Sequence, residues 1–157
     1  MKDYEINDST YAVIAVNNKT KIIEKDRVVT VDNDAYKIMD DNCKYYGSSY
    51  LGRLQAGKII LNCKYKIPIL VEESNVLIFF PIKSSLEKDC CWLNPNSISN
   101  IEQDGENSVV TFKNGKKKIF DVSKYSLENQ IFKSSKLESI IYRRIKKNKS
   151  SKLQKFS

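Results

Sequence analysis

The chain has 157 residues, 41 % of them apolar and 29 % charged, with a net charge of +8. That length predicts one domain with a real core, and no apolar run approaches the ~20 residues that span a bilayer, so a cytoplasmic protein with no membrane partner is expected. Histidine is absent, which removes Ser-His-Asp and Cys-His chemistry and most zinc enzyme sites, and no enzyme is expected.

Residues 1–10 are polar and read as a frayed lead-in. Short strands follow at Tyr11–Val16, Lys21–Glu24 and Arg27–Val31, with a turn at Asn17-Asn18. Ala35 to Asp41 carries mixed signals and stays undecided. A helix is expected from Ser48 or Ser49, either of which suits an N-cap, to about Gly57. Lys58 to Tyr65 is ambiguous between helix and strand. Ile69-Leu70-Val71 and Val76–Phe80, around Glu72–Asn75, read as a hairpin buried on both faces. Residues 83–90 form a loop, and Cys91-Trp92-Leu93 a short strand. A meander runs through Ser97–Gln103, Ser108–Phe112 and Lys117–Val122, with Asn114-Gly115 the best local hairpin signal. The last element is a helix from about Ser126 to Lys147. Leu127, Ile131, Leu137, Ile141, Tyr142 and Ile145 share one face of it, opposite Lys133, Lys136, Arg143 and Lys147. The pattern predicts an α+β fold: antiparallel β-hairpins and a meander, a short helix after Ser48, and a long C-terminal helix across the sheet. Residues 1–147 form one domain, and 148–157 a basic tail expected to be disordered.

Charge is segregated along the chain. From Asn42 to Val71 there is no acid, while Lys44, Arg53, Lys58, Lys64 and Lys66 are basic; after Tyr142 come seven more cations and no acid. Such surfaces seek phosphates, on nucleic acid or membranes. The densest stretch is Lys44–Arg53, where Gly47, Ser48, Ser49, Tyr50 and Arg53 combine hydroxyls, glycine amides and a cation at a helix start, a mixture that suits phosphate. The same residues also suit core tyrosines beside a solvated arginine. The four cysteines fit no disulfide framework. Zinc among them is disfavoured because Cys90 and Cys91 would point to opposite faces of a strand, so no metal or cofactor is expected.

Tyr45-Tyr46-Gly47-Ser48-Ser49-Tyr50-Leu51-Gly52-Arg53 resembles the signature of the competence transcription factor (ComK) family. Further matches follow the family in order and spacing: Lys21–Asp26; Pro68-Ile69 with Val71, Ser74-Asn75 and Phe80-Pro81; Trp92 preceded by Cys90; Val110–Lys116; and Tyr125–Ile131. The likeness covers about Tyr11 to Tyr142. It implies a sequence-specific DNA-binding activator of DNA-uptake genes, associated with the nucleoid. Such a protein acts as a homo-oligomer on paired A/T-rich boxes through the minor groove, with RNA polymerase as a partner. Arg53 is then the first choice for entering the groove. Gly47, Ser48, Ser49, Tyr50, Lys44 and Lys58 would hold adjacent DNA, and Lys133, Lys136, Arg143, Arg144 and Lys147 further phosphates. The best-known members continue a few dozen residues past the long helix, in a tail that contacts a proteolytic adaptor, so that contact is not expected here. Two rivals stand beside this reading: a shortened regulatory paralogue that does not activate alone, and a general polyanion binder.

Overall fold

A computed structural model describes residues 3–85 and 87–156. Met1, Lys2, Leu86 in the 83–90 loop and Ser157 in the tail lie outside them. Nine strands and three helices follow the chain as β1 (Thr10–Val16), β2 (Lys19–Glu24), β3 (Val28–Val31), α1 (Ala35–Tyr45), α2 (Tyr50–Leu61), β4 (Ile69–Glu72), β5 (Leu77–Pro81), β6 (Trp92–Leu93), β7 (Ile98–Asp104), β8 (Asn107–Phe112), β9 (Lys117–Phe120) and α3 (Lys124–Phe156). The class is α+β, as the sequence predicts.

Six strands form one antiparallel sheet in the order β3-β2-β1-β6-β5-β4, and β7-β8-β9 form a second. Alternation assigns the two faces of the large sheet. Val13, Ile69, Val71, Phe79 and Trp92 meet Ala35, Met39, Cys43 and Tyr50 from α1 and α2. Ala12, Ile14, Phe80 and Leu93 point the other way, to Val110 and Phe112 of the small sheet and Leu127 of α3. Covering on both sides explains why the β4–β5 hairpin carries apolar runs instead of alternation.

The two-residue strand β6 is the seam. Trp92 pairs with Val13 of β1 and Pro81 of β5, and Leu93 pairs with Ala12 and Phe80. Without those two residues the N-terminal strands and the β4–β5 hairpin would be separate ribbons.

The structure corrects four boundaries. Residues 3–9 are packed, not frayed. Ile6 is fully buried, its N–H donates to Asn42 Oδ1 at 2.8 Å, and Asn42 Nδ2 donates to the carbonyls of Tyr4 and Ile38 at 3.0 and 2.8 Å. Second, the undecided segment is α1, capped by Asp34, whose side chain accepts from Lys37 N–H. Ala35, Ile38, Met39, Asn42 and Cys43 give it a helical inward stripe; a polar residue at the fourth position hides the period in sequence. Third, α2 continues past Gly57 to Leu61, ending at Asn62 in the left-handed region, which asparagine tolerates. Fourth, α3 begins a turn before Ser126. Ser123 is its cap, accepting from Ser126 N–H at 3.1 Å, and the helix runs on through most of the stretch expected to be a disordered tail. No glycine or proline interrupts the chain after Lys124, so nothing in the backbone stops it.

On α3, Leu127, Leu137 and Ile141 are buried and Ile131 and Ile145 partly so, but Tyr142 is exposed. The inward stripe is completed by two polar residues, Gln130 and Ser134. Gln130 Nε2 donates to the carbonyls of Lys66 and Pro81 at 2.9 and 2.8 Å, and Ser134 Oγ to the Gln130 carbonyl at 2.8 Å.

Helix α2 covers one face of the sheet and α3 the other, and they meet around the edge strand β4 through Leu61, Leu70, Ile78, Leu137 and Ile141. An unprotected edge invites pairing with another chain, and this packing shields it. At Gly57 α2 lies close on the segment leading into β4, where an added Cβ would clash with Ile67 Cγ2 and sit 3.2 Å from the Pro68 carbonyl oxygen. Gly57→Ala should therefore destabilise the protein by about 1–3 kcal/mol through overpacking, read as a lowered urea midpoint. An unchanged midpoint would show that Ile67 yields freely.

Candidate nucleic-acid interface

The corner between α1 and α2 is built from the Lys44–Arg53 stretch. Gly47 has φ +99°, its N–H donates to the Lys44 carbonyl at 3.1 Å, and Ser48 N–H donates to the Cys43 carbonyl at 2.9 Å. This is a Schellman termination of α1, with glycine where a Cβ would be strained. Ser49, not Ser48, caps α2, its Oγ accepting from Gly52 N–H at 2.9 Å. Tyr50 N–H donates to Asp40 Oδ1 at 2.9 Å.

The Gly47 and Ser48 amides offered to a phosphate on sequence grounds are thus occupied. Asp40 supplies a carboxylate at the start of α2, where the helix dipole favours an anion. Its other oxygen pairs with Lys44 Nζ at 2.9 Å, so Lys44 is already matched. Tyr50 is a core residue, 1 % exposed. Trp92 Nε1 donates to its hydroxyl at 3.1 Å, and the rings meet edge to face at 5.9 Å. Burial pushes the Tyr50 phenol far above its ordinary pKa. Within the fold, Gly47 and Ser48 terminate α1, Ser49 caps α2, Tyr50 packs in the core and Lys44 pairs with Asp40.

The other sequence-chosen cations are placed differently. Arg53 is half-buried on the first turn of α2 and lines a cleft facing Arg144 of α3. Lys58 is exposed on the last turn of α2. Lys133 donates to the Tyr65 carbonyl at 3.1 Å, which ties the α2–β4 loop to α3. Lys136, Arg143, Arg144 and Lys147 are exposed on α3, with no ion-pair partner among the described residues. Lys146, Lys149 and Lys152 extend the same pattern. Ile145 is the last hydrophobic residue of α3 packed against the body among those described. At 1.5 Å per residue the eleven residues to Phe156 project about 16 Å. This basic projection was missed because the sequence reading ends the helix at Lys147.

A larger cavity of about 580 Å³ lies near the start of α1, lined by Lys19, Asp34, Tyr36, Lys88, Asp89 and Trp92 among others. Its charges are mixed and direct no one ligand. Among the described residues no helix is long and apolar enough to cross a membrane.

The family model described as ComK protein matches residues 1–146. The chain belongs to the ComK family. It is also 33 % identical, over 150 residues, to the competence transcription factor of Bacillus subtilis (strain 168), an alignment covering 92 % of this chain and 78 % of that relative. No solved structure matches it. Within this ComK-family chain, the Tyr45–Arg53 stretch forms the α1–α2 corner.

Two outcomes follow from this site. Burial would raise the Asp40 pKa, but the Tyr50 N–H and Lys44 outweigh it and hold the carboxyl below its ordinary value. A depressed folded pKa contributes stability above the unfolded pKa and loses it as pH falls through the folded one. Asp40→Asn should thus lower the melting temperature at pH 7, with the gap from the unmutated protein narrowing toward pH 3; a constant gap refutes the charge contribution. The second outcome concerns the thiols. Cys43, Cys90 and Cys91 are buried and Cys63 is partly exposed. Burial pushes Cys43 and Cys90 up to about 12 and raises Cys91. At pH 8 a thiol reagent should label Cys63 alone in the native protein and all four thiols in denaturant. Rapid native labelling of Cys43 or Cys90 would contradict their burial.

Proposed function

We propose that this protein is a sequence-specific DNA-binding transcriptional activator of competence (DNA-uptake) genes, acting at A/T-rich boxes. The observation that carries the DNA contact is the C-terminal part of α3: after Glu138 it has no acid, and its cations from Arg143 to Lys152 are exposed, with no ion-pair partner among the described residues. Membership of the ComK family and likeness to a competence transcription factor supply the biological context.

The mechanism is binding, not catalysis. Lysine and arginine neutralise backbone phosphates and release counterions, which supplies most of the affinity. Sequence preference comes from the minor groove, whose narrowness over A/T tracts deepens the negative potential felt by an arginine. Arg143, exposed on α3, is better placed to enter a groove than Arg53, which is recessed between helices. Exposed Phe132 and Tyr142 on α3 and Ile59 on α2 are the apolar surface available to a second copy, and a symmetric pair would reach boxes about one helical turn apart. RNA polymerase is the partner an activator requires.

Replacing Lys146, Lys147, Lys149 and Lys152 with glutamine should weaken binding to A/T-box and scrambled duplexes alike. The slope of log K against log salt should shrink by up to about 0.9 for each phosphate no longer neutralised. The unmutated protein should prefer the A/T-box duplex. Equal affinity for A/T-rich and G·C-rich duplexes at physiological salt would refute sequence-specific activation and favour general polyanion binding.

A further inference from the structure

Where α2 and α3 close around the β4 edge they leave a cleft of about 230 Å³. Gly57 and Ile60 of α2, Leu70 of β4 and Ile141 of α3 give it apolar walls, while Arg53, Arg144, Glu73 and Asn148 line it with polar groups. Arg53 Nε is enclosed by protein with no hydrogen-bond acceptor, the sole such side-chain atom found among the described residues. No carboxylate among those residues lies within ion-pair distance of Arg53 or Arg144.

A guanidinium drawn partly out of water normally has a partner, because desolvated charge without one is costly. Here two guanidinium groups, carried by different helices, share one cleft with a single carboxylate. The cleft therefore has an excess of positive charge. A water occupies about 30 Å³ in the liquid, so the space admits a tetrahedral oxyanion with its remaining water. Planar guanidinium forks match phosphate oxygens in pairs.

We infer that this cleft is an anion clamp: one phosphate group, held by Arg53 from α2 and Arg144 from α3, fastens the two helices together and fixes the direction of the basic end of α3. On the DNA-binding reading, on which this clause rests, the phosphate belongs to the duplex backbone. A free phosphate presents the same chemistry, and the test separates the two sources.

The full chain is compared with Arg53→Met, Arg144→Met and the double variant. Arg53→Met keeps the aliphatic stem and removes the stranded donor, so without anion it should melt no lower than the unmutated protein. A lower melting temperature would mean that Arg53 holds the fold, and would overturn the clamp. Inorganic pyrophosphate at fixed ionic strength should raise the melting temperature of the unmutated protein but not that of either single variant, and Glu73→Gln should enlarge the rise. No rise in the unmutated protein, or an equal rise in all variants, overturns the clamp.

On an A/T-box duplex, two arginines that share one phosphate act on the same group. Each single variant should bind about tenfold more weakly. The double should be no weaker, with the salt slope falling by about 0.9 once and not twice. Weakening that multiplies, with twice the slope change, denotes two separately held phosphates; it overturns the clamp and leaves DNA binding intact. Stabilisation by pyrophosphate without duplex binding supports a clamp for free phosphate and refutes the DNA-binding reading.

Discussion

Trp92 holds together the parts on which everything else rests. Its backbone, together with that of Leu93, joins β1 to β5, the only link in the described sheet between the N-terminal strands and the β4–β5 hairpin. Its indole reaches the first residue of α2 through the Tyr50 hydroxyl. Burying an indole requires a partner for its N–H, and here that partner is the residue that starts the helix. The same residue thus helps close the sheet through its backbone and meets the start of α2 through its side chain. Tyr50 is in turn fixed at its backbone by Asp40 of α1. Sheet seam, helix start and helix corner form one connected unit, and Arg53 leaves it a single turn later.

The molecule treats its charges in two ways. Around the body, some cations have local partners: Lys37 with Asp41, Lys44 with Asp40, and Lys83 with Asp89, all at 2.6–2.9 Å. Exposed pairs of this kind contribute little stability, but they neutralise the body surface. Along the end of α3 no acid is present to do so. A small balance of charge over residues 1–142 and seven uncompensated cations after them is therefore a spatial division as well as a linear one.

Much of the fold was legible because its signals were local. The Asn17-Asn18 and Asn114-Gly115 turns, the doubly buried β4–β5 hairpin and the meander all follow from residue type and spacing. What stayed hidden depends on tertiary partners. The stripe of α1 includes Asn42, which reads as polar until Tyr4, Ile6 and Ile38 satisfy it. The stripe of α3 includes Gln130 and Ser134 for the same reason. At the site, the glycine and serines near Arg53 suit both a phosphate and a plain helix start, because sequence cannot show that Asp40, ten residues before Tyr50, accepts its N–H. The pairing of Arg53 with Arg144 in one cleft depends on how two helices cross, which no spacing along the chain reveals.

The projecting end of α3 has a further consequence. Beyond Ile145 no described residue of it joins a hydrophobic cluster, and it places cations three residues apart, as at Lys146 and Lys149, and Lys149 and Lys152. Like charges at those spacings repel and weaken a helix, although cations near its C-terminus gain from the dipole. This segment is thus electrostatically frustrated when alone. Counterions or a polyanion relieve the repulsion, so its helical order is coupled to ionic surroundings in a way that the packed body is not. On the DNA-binding reading, part of the free energy of binding would accordingly go into straightening and stiffening this arm.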